Sequence, residues 1–219
     1  MNSTPLVVVL KSIIERSYGM RPVIHDIGPF LIGDRGYEVL YGDGRHERSS
    51  GARMMVRQEL DSVRLAVYYP DALVRHLEHF NPLVGLGDVN IDEFSVLIEE
   101  LDHLLTMAGR VAEGRPVSLL ELEHHANLTK YLVVLHLLGR QIRRTRLPES
   151  LRLWARHHLF GKYSEETNES AKRYREAAGL ADRHARLLDG MTVPERRREL
   201  CAFHRRSFSD TCRLLISSN

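Results

Sequence analysis

The chain has 219 residues, of which 43% are hydrophobic and 27% are charged, and its net charge is +2. These proportions are typical of a packed globular protein and exclude a disordered or collagen-like chain. The charge is unevenly distributed: residues 1–139 hold 13 basic and 19 acidic side chains (net −6), and residues 140–219 hold 18 and 10 (net +8). The two parts are therefore expected to attract each other, or to bind partners of opposite charge.

The apolar runs and the two cysteines predict where the protein resides. The longest apolar runs, 5–10 and 131–138, are far shorter than the roughly 20 residues that a transmembrane helix needs, so no membrane contact is expected. The first run has no basic leader and ends at Lys11, so export is not expected. Cys201 and Cys212 share the last predicted helix, where they are too far apart for a disulfide. Reduced cysteines indicate a cytoplasmic location.

The N-terminal part of the chain is predicted to contain helices, turns and one β-hairpin. Gly19 stands where a first helix would stop. Val63, Leu65 and Val67 follow the period-two pattern of a half-buried strand, and polar residues at 61–62 would form the hairpin turn. The predicted elements are a helix over 5–18, turns with short pieces over 20–50, strands over 52–59 and 63–69, and a helix over 70–80.

Two capping patterns predict a helical hairpin in the middle of the chain. Asn90 is followed three residues later by Glu93, a spacing typical of a helix N-terminus. Ser118 and Glu121 repeat this spacing. Helices are therefore predicted to begin near residues 91 and 119 and to form an antiparallel pair. Further helices are predicted over 149–159, 165–188 and 194–216.

Together these elements predict an α+β protein that is predominantly α-helical. A small N-terminal portion containing the β-hairpin would pack on a C-terminal helical bundle. The boundary is placed at residue 88, so that residues 1–88 form the first part and residues 89–219 the second. One continuous domain is the alternative.

The predicted helical hairpin also carries acidic residues and histidines with metal-ligand spacing. Glu100 and His103 form a Glu-x-x-His sequence, and Glu121 and His124 form another. A carboxylate and an imidazole three residues apart lie on one helical face and can bind the same metal ion. Two such sequences resemble the pattern of dinuclear carboxylate sites in four-helix bundles.

The positions of these pairs along the hairpin argue against the dinuclear arrangement. Glu100 and Glu121 lie at different distances from the turn, and at 1.5 Å per residue they are offset by roughly 15 Å. His103 and His125 are offset by only about one helical turn. A mononuclear divalent-metal site is therefore the hypothesis that remains, with candidate ligands Glu99, Glu100, His103, Glu121, His124 and His125. In the alternative interpretation these residues are caps, surface ion pairs and histidines at the edge of the core.

The basic C-terminal part suggests a nucleic-acid hypothesis. Clustered arginines can neutralise phosphates, and Trp154 could stack on a base. Acidic residues are interleaved with them, however, so a solvated surface paired with the acidic N-terminal part is the alternative. The candidate residues are Arg140, Arg143, Arg144, Arg196, Arg197 and Arg198.

The leading functional hypothesis is a binding or regulatory module that acts through protein–protein contacts, with a protein partner or a second copy of the chain. It is motivated by residues 131–138, which are apolar around almost the whole helix and need cover on every side. A metal-dependent enzyme and a nucleic-acid-binding protein are the alternatives. The sequence contains no phosphate-binding loop, Cys-x-x-Cys pair or nucleophile elbow that would identify an enzyme class.

Overall fold

The computed structural model of the protein describes residues 5–41, 51–60, 62–161 and 168–217. It confirms an α+β fold that is predominantly helical. The elements are α1 (Leu6–Tyr18), β1 (Leu31–Ile32), α2 (Asp34–Tyr41), β2 (Arg53–Gln58), β3 (Val63–Tyr68), α3 (Asp71–His79), α4 (Ile91–Ala112), α5 (Leu119–Gln141), α6 (Glu149–Phe160), α7 (Glu169–Asp189), α8 (Val193–Arg205) and α9 (Phe208–Ser217). None of these helices combines the length and apolar character needed to cross a membrane.

A small three-stranded sheet covers one side of α4. The predicted hairpin is confirmed: β2 and β3 pair antiparallel, with Arg53 opposite Tyr68 and Gln58 opposite Val63. Strand β1 adds to β3 in parallel. This strand and helix α2 lie in the segment predicted as turns with short pieces, whose many glycines did not indicate the type of either element. Asp61 of the predicted turn, and residues 165–167 at the start of a predicted helix, lie outside the described residues.

The predicted helical hairpin is present as α4 and α5, but only one of its two predicted caps forms. Ser118 caps α5, where its hydroxyl accepts a hydrogen bond from the Glu121 backbone N–H at 3.1 Å. Asn90 makes no cap. Its amide instead donates to the carbonyls of Phe80 and Gly85 and accepts from the Gly87 N–H. Asn90 therefore fixes the loop before α4, because a buried amide can satisfy three backbone groups at once.

Helix α5 runs through the centre of the helical part. It packs against α1, α4, α6 and α7, so apolar residues occur around nearly all of its circumference. Tyr131, Val134 and Leu138 are buried in the chain's own core. His136 is exposed, so the predicted apolar circumference is interrupted at one position. The described residues themselves cover the segment that motivated the protein-partner hypothesis.

The C-terminal helix predicted over 194–216 is divided into α8 and α9. Arg206 leaves the helical conformation, with φ −67° and ψ 154°. The Ser207 hydroxyl then accepts a hydrogen bond from the Asp210 N–H at 3.2 Å and so begins a new helix. Both cysteines are free, as expected.

Helix α1 connects the N-terminal part to the helical part. It packs on α4, α5 and α8, and Leu10 and Ile14 belong to the same apolar core as the later helices. It ends at Gly19, as predicted, where φ is +61° and an added Cβ would lie 3.0 Å from Cys201 Sγ. The division into parts at residue 88 remains a prediction.

Candidate functional site

Helix α5 carries three consecutive buried polar residues, Glu123, His124 and His125, which are 5%, 0% and 2% exposed. Successive residues of an α-helix point about 100° apart, so neighbours in sequence cannot share one site. Each of the three side chains accordingly enters a different group of contacts. The residues predicted as metal ligands are distributed over these groups.

His125 belongs to a hydrogen-bonded chain that we call the polar relay, made of Tyr18, Thr129, Asp102, His125 and His204. His125 Nδ1 lies 2.8 Å from Asp102 Oδ2, and its Nε2 lies 3.4 Å from His204 Nδ1. Thr129 Oγ1 lies 2.7 Å from the second oxygen of Asp102 and 2.8 Å from the Tyr18 hydroxyl. The relay thus connects α1, α4, α5 and α8 through a carboxylate that is 0% exposed.

The chemistry of the relay determines the direction of its hydrogen bonds. An ionised carboxylate only accepts, so Thr129 and His125 Nδ1 both donate to Asp102. A neutral imidazole that carries its proton on Nδ1 has a lone pair on Nε2. His125 Nε2 therefore accepts from His204 Nδ1–H, and His204 in turn presents a lone pair on its own Nε2. In this arrangement the far end of the relay is a proton acceptor.

His204 also lines a cavity of about 170 Å³ between the end of α1, the following loop and the second half of α4. A cavity of similar size lined by apolar side chains holds a molecule such as benzene. The relay therefore ends beside a space large enough for a single-ring molecule. The other lining residues are Glu15, Met20, Arg21, Val23, Ile24, Leu105, Ala108, Gly109, Ala112 and Glu113.

The surroundings of His204 keep its imidazole neutral. Burial lowers its pKa to about 3, and the nearby positive charges of Arg110 and Arg115 act in the same direction. Only Asp102 among the named neighbours raises it. The His204 lone pair is therefore available at neutral pH, but His204 is a weak base until a negative charge approaches it.

His103 and Glu123 belong to a second group, the glutamate cluster, made of Glu99, Glu100, His103, Glu123 and Lys130. Lys130 Nζ donates to Glu99 at 2.5 Å. His103 lies between two carboxylates, with Nδ1 3.6 Å from Glu100 Oε2 and Nε2 3.7 Å from Glu123 Oε2. Glu100 also accepts the backbone N–H of Met54 in β2 at 2.6 Å. The glutamate cluster therefore ties the sheet to the helical hairpin.

Ionisation in the glutamate cluster is governed by burial and by the mutual influence of its charges. Burial alone would lower the pKa of His103, but Glu100, Glu123 and Glu99 outweigh it and raise the value to about 9. Burial raises the pKa of Glu123 to about 7, although the positive charge of His103 opposes the shift. His103 Nε2 and the facing Glu123 Oε2 have no hydrogen-bond partner among the described residues. At neutral pH His103 is therefore mostly protonated, and Glu123 is protonated in part of the molecules.

His124 belongs to a third group, an imidazole pair with His184 of α7. Both side chains are 0% exposed, and their ring centroids lie 5.6 Å apart. Phe203 contacts both rings, and none of the four ring nitrogens has a hydrogen-bond partner among the described residues. Burial lowers the pKa of His184 to about 3 and that of His124 well below its usual value. Both imidazoles are neutral when the protein is folded.

The predicted metal ligands thus occupy separate places. Glu99, Glu100 and His103 lie together in the glutamate cluster, whereas Glu121 forms an ion pair with Arg110 at 2.7 Å. Within the described ranges, no three His, Cys, Asp or Glu side chains are placed to hold one metal ion. Metal binding by a subset of these residues remains a prediction.

The predicted nucleic-acid residues lie mainly at the surface. Arg140, Arg143 and Arg144 are exposed around the C-terminal end of α5, and Arg197 and Arg198 are exposed on α8. The sixth candidate is half-buried, because the Arg196 Nε donates to the carbonyl of Leu188. Exposure alone does not select nucleic acid over solvent, so this hypothesis also remains a prediction.

Four of the five relay residues, Tyr18, Asp102, Thr129 and His204, were not among the candidates predicted from the sequence. Asp102 was not chosen as a candidate because the neighbouring Glu100 has Glu-x-x-His spacing and Asp102 does not. Tyr18 and His204 lie far from the hairpin in sequence, and no local pattern connects them to it. One available signal was that Glu121, His124 and His125 could not all face one point, since residues one apart on a helix diverge.

No protein-family model matches the chain, and neither the curated proteins nor the solved structures show a significant similarity to it.

Proposed function

We propose that the protein is an enzyme that transfers a proton to and from a small molecule bound in the cavity beside His204. The observation that carries this proposal is the continuous chain from the buried carboxylate of Asp102 through His125 to His204, which lines the cavity. A base positioned by a second group, itself oriented by a third, is a general arrangement in acid–base catalysis.

The reaction starts when a polarised X–H bond of the ligand points at His204 Nε2. The proton moves to Nε2, and the electron pair of the bond stays on atom X. His125 and Asp102 act as positioning residues, because they hold His204 in the tautomer with a free Nε2 and stabilise the imidazolium that forms. Return of the proton to another atom of the ligand completes an isomerisation without a co-reactant.

Deuterium exchange tests this proposal directly. Butanone and 2-oxobutanoate, two small carbonyl compounds that fit the cavity, are incubated with the protein in D₂O, and loss of the C–H signal is followed by proton NMR. We expect the protein to accelerate exchange for at least one compound. The His204→Gln variant should slow it by about 100-fold or more, the usual range for removing a general base.

A matched control separates catalysis from surface chemistry. His136 is an exposed histidine on α5 that lines no described cavity, so His136→Gln should exchange at the wild-type rate. Equal rates for wild type and His204→Gln would contradict the proposal. Acceleration by wild type that both variants lose would point to an effect on folding instead, which circular dichroism of the variants would show.

The other hypotheses from the sequence remain separate predictions. The protein–protein hypothesis was based on the apolar residues 131–138 of α5, and the chain's own helices cover most of these residues. Nucleic-acid binding predicts an association that weakens as salt concentration rises. Elemental analysis tests the metal hypothesis, and the cytoplasmic location still rests on the two free cysteines.

A further inference from the structure

One of the charged side chains that line the cavity has no counterion among the described residues. Glu15 is neutralised by Lys11 at 2.8 Å, and Glu113 is paired with Arg115 at 3.2 Å. Arg21 also lines the cavity; it is exposed, and no described residue forms an ion pair or hydrogen bond with it. The one lining charge without a described counterion is therefore positive.

Buried positive charge lies close by. Arg110 is 3% exposed and uses one nitrogen to donate to Glu121, while its Nε and Nη1 have no acceptor among the described residues. A buried donor without an acceptor costs about 1–3 kcal/mol, and more when the group is charged. Arg110 and Arg115 are both near enough to His204 to lower its pKa. Arg110 thus holds two N–H donors without an acceptor among the described residues, close to His204.

The walls of the cavity restrict what else the ligand can be. Most lining side chains are apolar, among them Met20, Ile24, Leu105 and Ala108. A mainly apolar lining with a few charged groups favours a ligand that buries a hydrocarbon body and orients it by one polar group. The volume of about 170 Å³ limits that body to the size of a single ring.

We infer that the ligand of this cavity is a small organic carboxylate, with a ring-sized apolar body among Ile24, Leu105 and Ala108 and its carboxylate facing Arg21. The inference rests on the proposed function only for the choice of cavity. The bound carboxylate supplies the negative charge that His204 lacks, so it would also make His204 a stronger base. Substrate recognition and activation of the base are then the same event.

Binding measurements on the wild-type protein test the inference without any turnover. The probes are benzoate, phenylacetate and cyclohexanecarboxylate, each compared with its neutral amide by titration followed in two-dimensional NMR. At least one acid should bind about tenfold or more tightly than its amide, which corresponds to one charge-assisted hydrogen bond. The shifted signals should include those of Met20, Ile24 and Gly109.

Two arginine variants provide the matched comparison. Arg21→Gln should remove the preference for the acid, whereas Arg16→Gln, an exposed position on α1 that does not line the cavity, should keep it. Absence of acid binding, equal affinity for acids and amides, or an unchanged preference in Arg21→Gln each overturns the inference. Deuterium exchange would still report on the proposed base, so the two ideas fail separately.

Discussion

Asp102 sets the direction of hydrogen bonding along the polar relay, and Asp102→Asn is predicted to reverse it. An amide N–H₂ facing His125 Nδ1 needs an acceptor there, so His125 must move its proton to Nε2. His204 would then accept at Nδ1 and carry its proton on Nε2. Nitrogen NMR of labelled histidines measures this tautomer change.

A control variant and a second measurement accompany the tautomer change in Asp102→Asn. The exposed Glu78→Gln on α3 should leave both histidine tautomers unchanged. A His204 that keeps its tautomer in Asp102→Asn would show that the 3.4 Å contact between the two imidazoles does not transmit the change. Deuterium exchange should slow in Asp102→Asn even when the variant is folded, because the lone pair on His204 Nε2 is lost.

Residue by residue, the sequence was informative about which side chains matter and less so about their partners. His103 was identified by its Glu-x-x-His spacing from Glu100, and His125 by its small predicted offset from His103 along the hairpin. Their partners depend on helix rotation and on packing over long sequence distances, which a spacing rule cannot supply. The Glu-x-x-His rule selected Glu121 with His124, yet Glu121 pairs with Arg110 and His124 with an imidazole of α7.

At the scale of elements, a substitution at Asn90 distinguishes two roles for this residue at the start of α4: capping the helix, or holding the loop that precedes it. As an N-cap, it would tolerate Asn90→Ser, since serine caps about as well as asparagine. In the structure its amide bonds three backbone groups of the preceding loop, and serine cannot reach all of them. We therefore expect Asn90→Ser to destabilise the protein by about 2–3 kcal/mol, at about 1 kcal/mol for each lost hydrogen bond.

Urea unfolding measures this loss, and Ser118→Asn is the matched comparison. Ser118 does cap its helix, so asparagine there should change the free energy of unfolding by only a few tenths of a kcal/mol. If Asn90→Ser lowers the free energy of unfolding by less than about 0.5 kcal/mol, Asn90 acts as an ordinary N-cap and the predicted role in the loop is wrong.

Elements with strong local signals were predicted well, and those that depend on distant contacts were not. Helices α4, α5 and α6 and the β2–β3 hairpin follow from periodicity, caps and alternation. Strand β1 has two residues and exists because it pairs with β3, where each partner lies 36 residues later in the chain. The break between α8 and α9 had a local signal in Ser207 and Asp210, which share the spacing of a capping box.

At the scale of the whole molecule, the buried histidines and Glu123 predict a stability maximum near pH 6.5. His184 and His204 have folded pKa values of about 3, below the usual 6.5, so the unfolded chain binds more protons and stability falls as pH drops below 6.5. Glu123 and His103 have raised values, about 7 and about 9, so their contribution is lost as pH rises through these values.

Unfolding by urea between pH 4 and pH 9 measures this curve, and His184→Leu should flatten its acid side. Each buried histidine that stays neutral costs about 1.4 kcal/mol of stability per pH unit below its unfolded pKa. Removing His184 takes away one such contribution, whereas replacing the exposed His25 by Gln removes none. Parallel acid limbs for wild type and His184→Leu would show that His184 is not kept neutral by burial.

The polar residues of α5 have a consequence for how the helix finds its place among its neighbours. An apolar helix could rotate by one residue and still bury a continuous surface. In α5 the same rotation would point the carboxylate of Glu123 where His124 now contacts Phe203, leaving a charge without a partner in the core. The three different side chains at 123–125 therefore allow only one rotation of α5 about its axis. An insertion of one residue between Ser118 and Glu123 would misalign all three contact groups together.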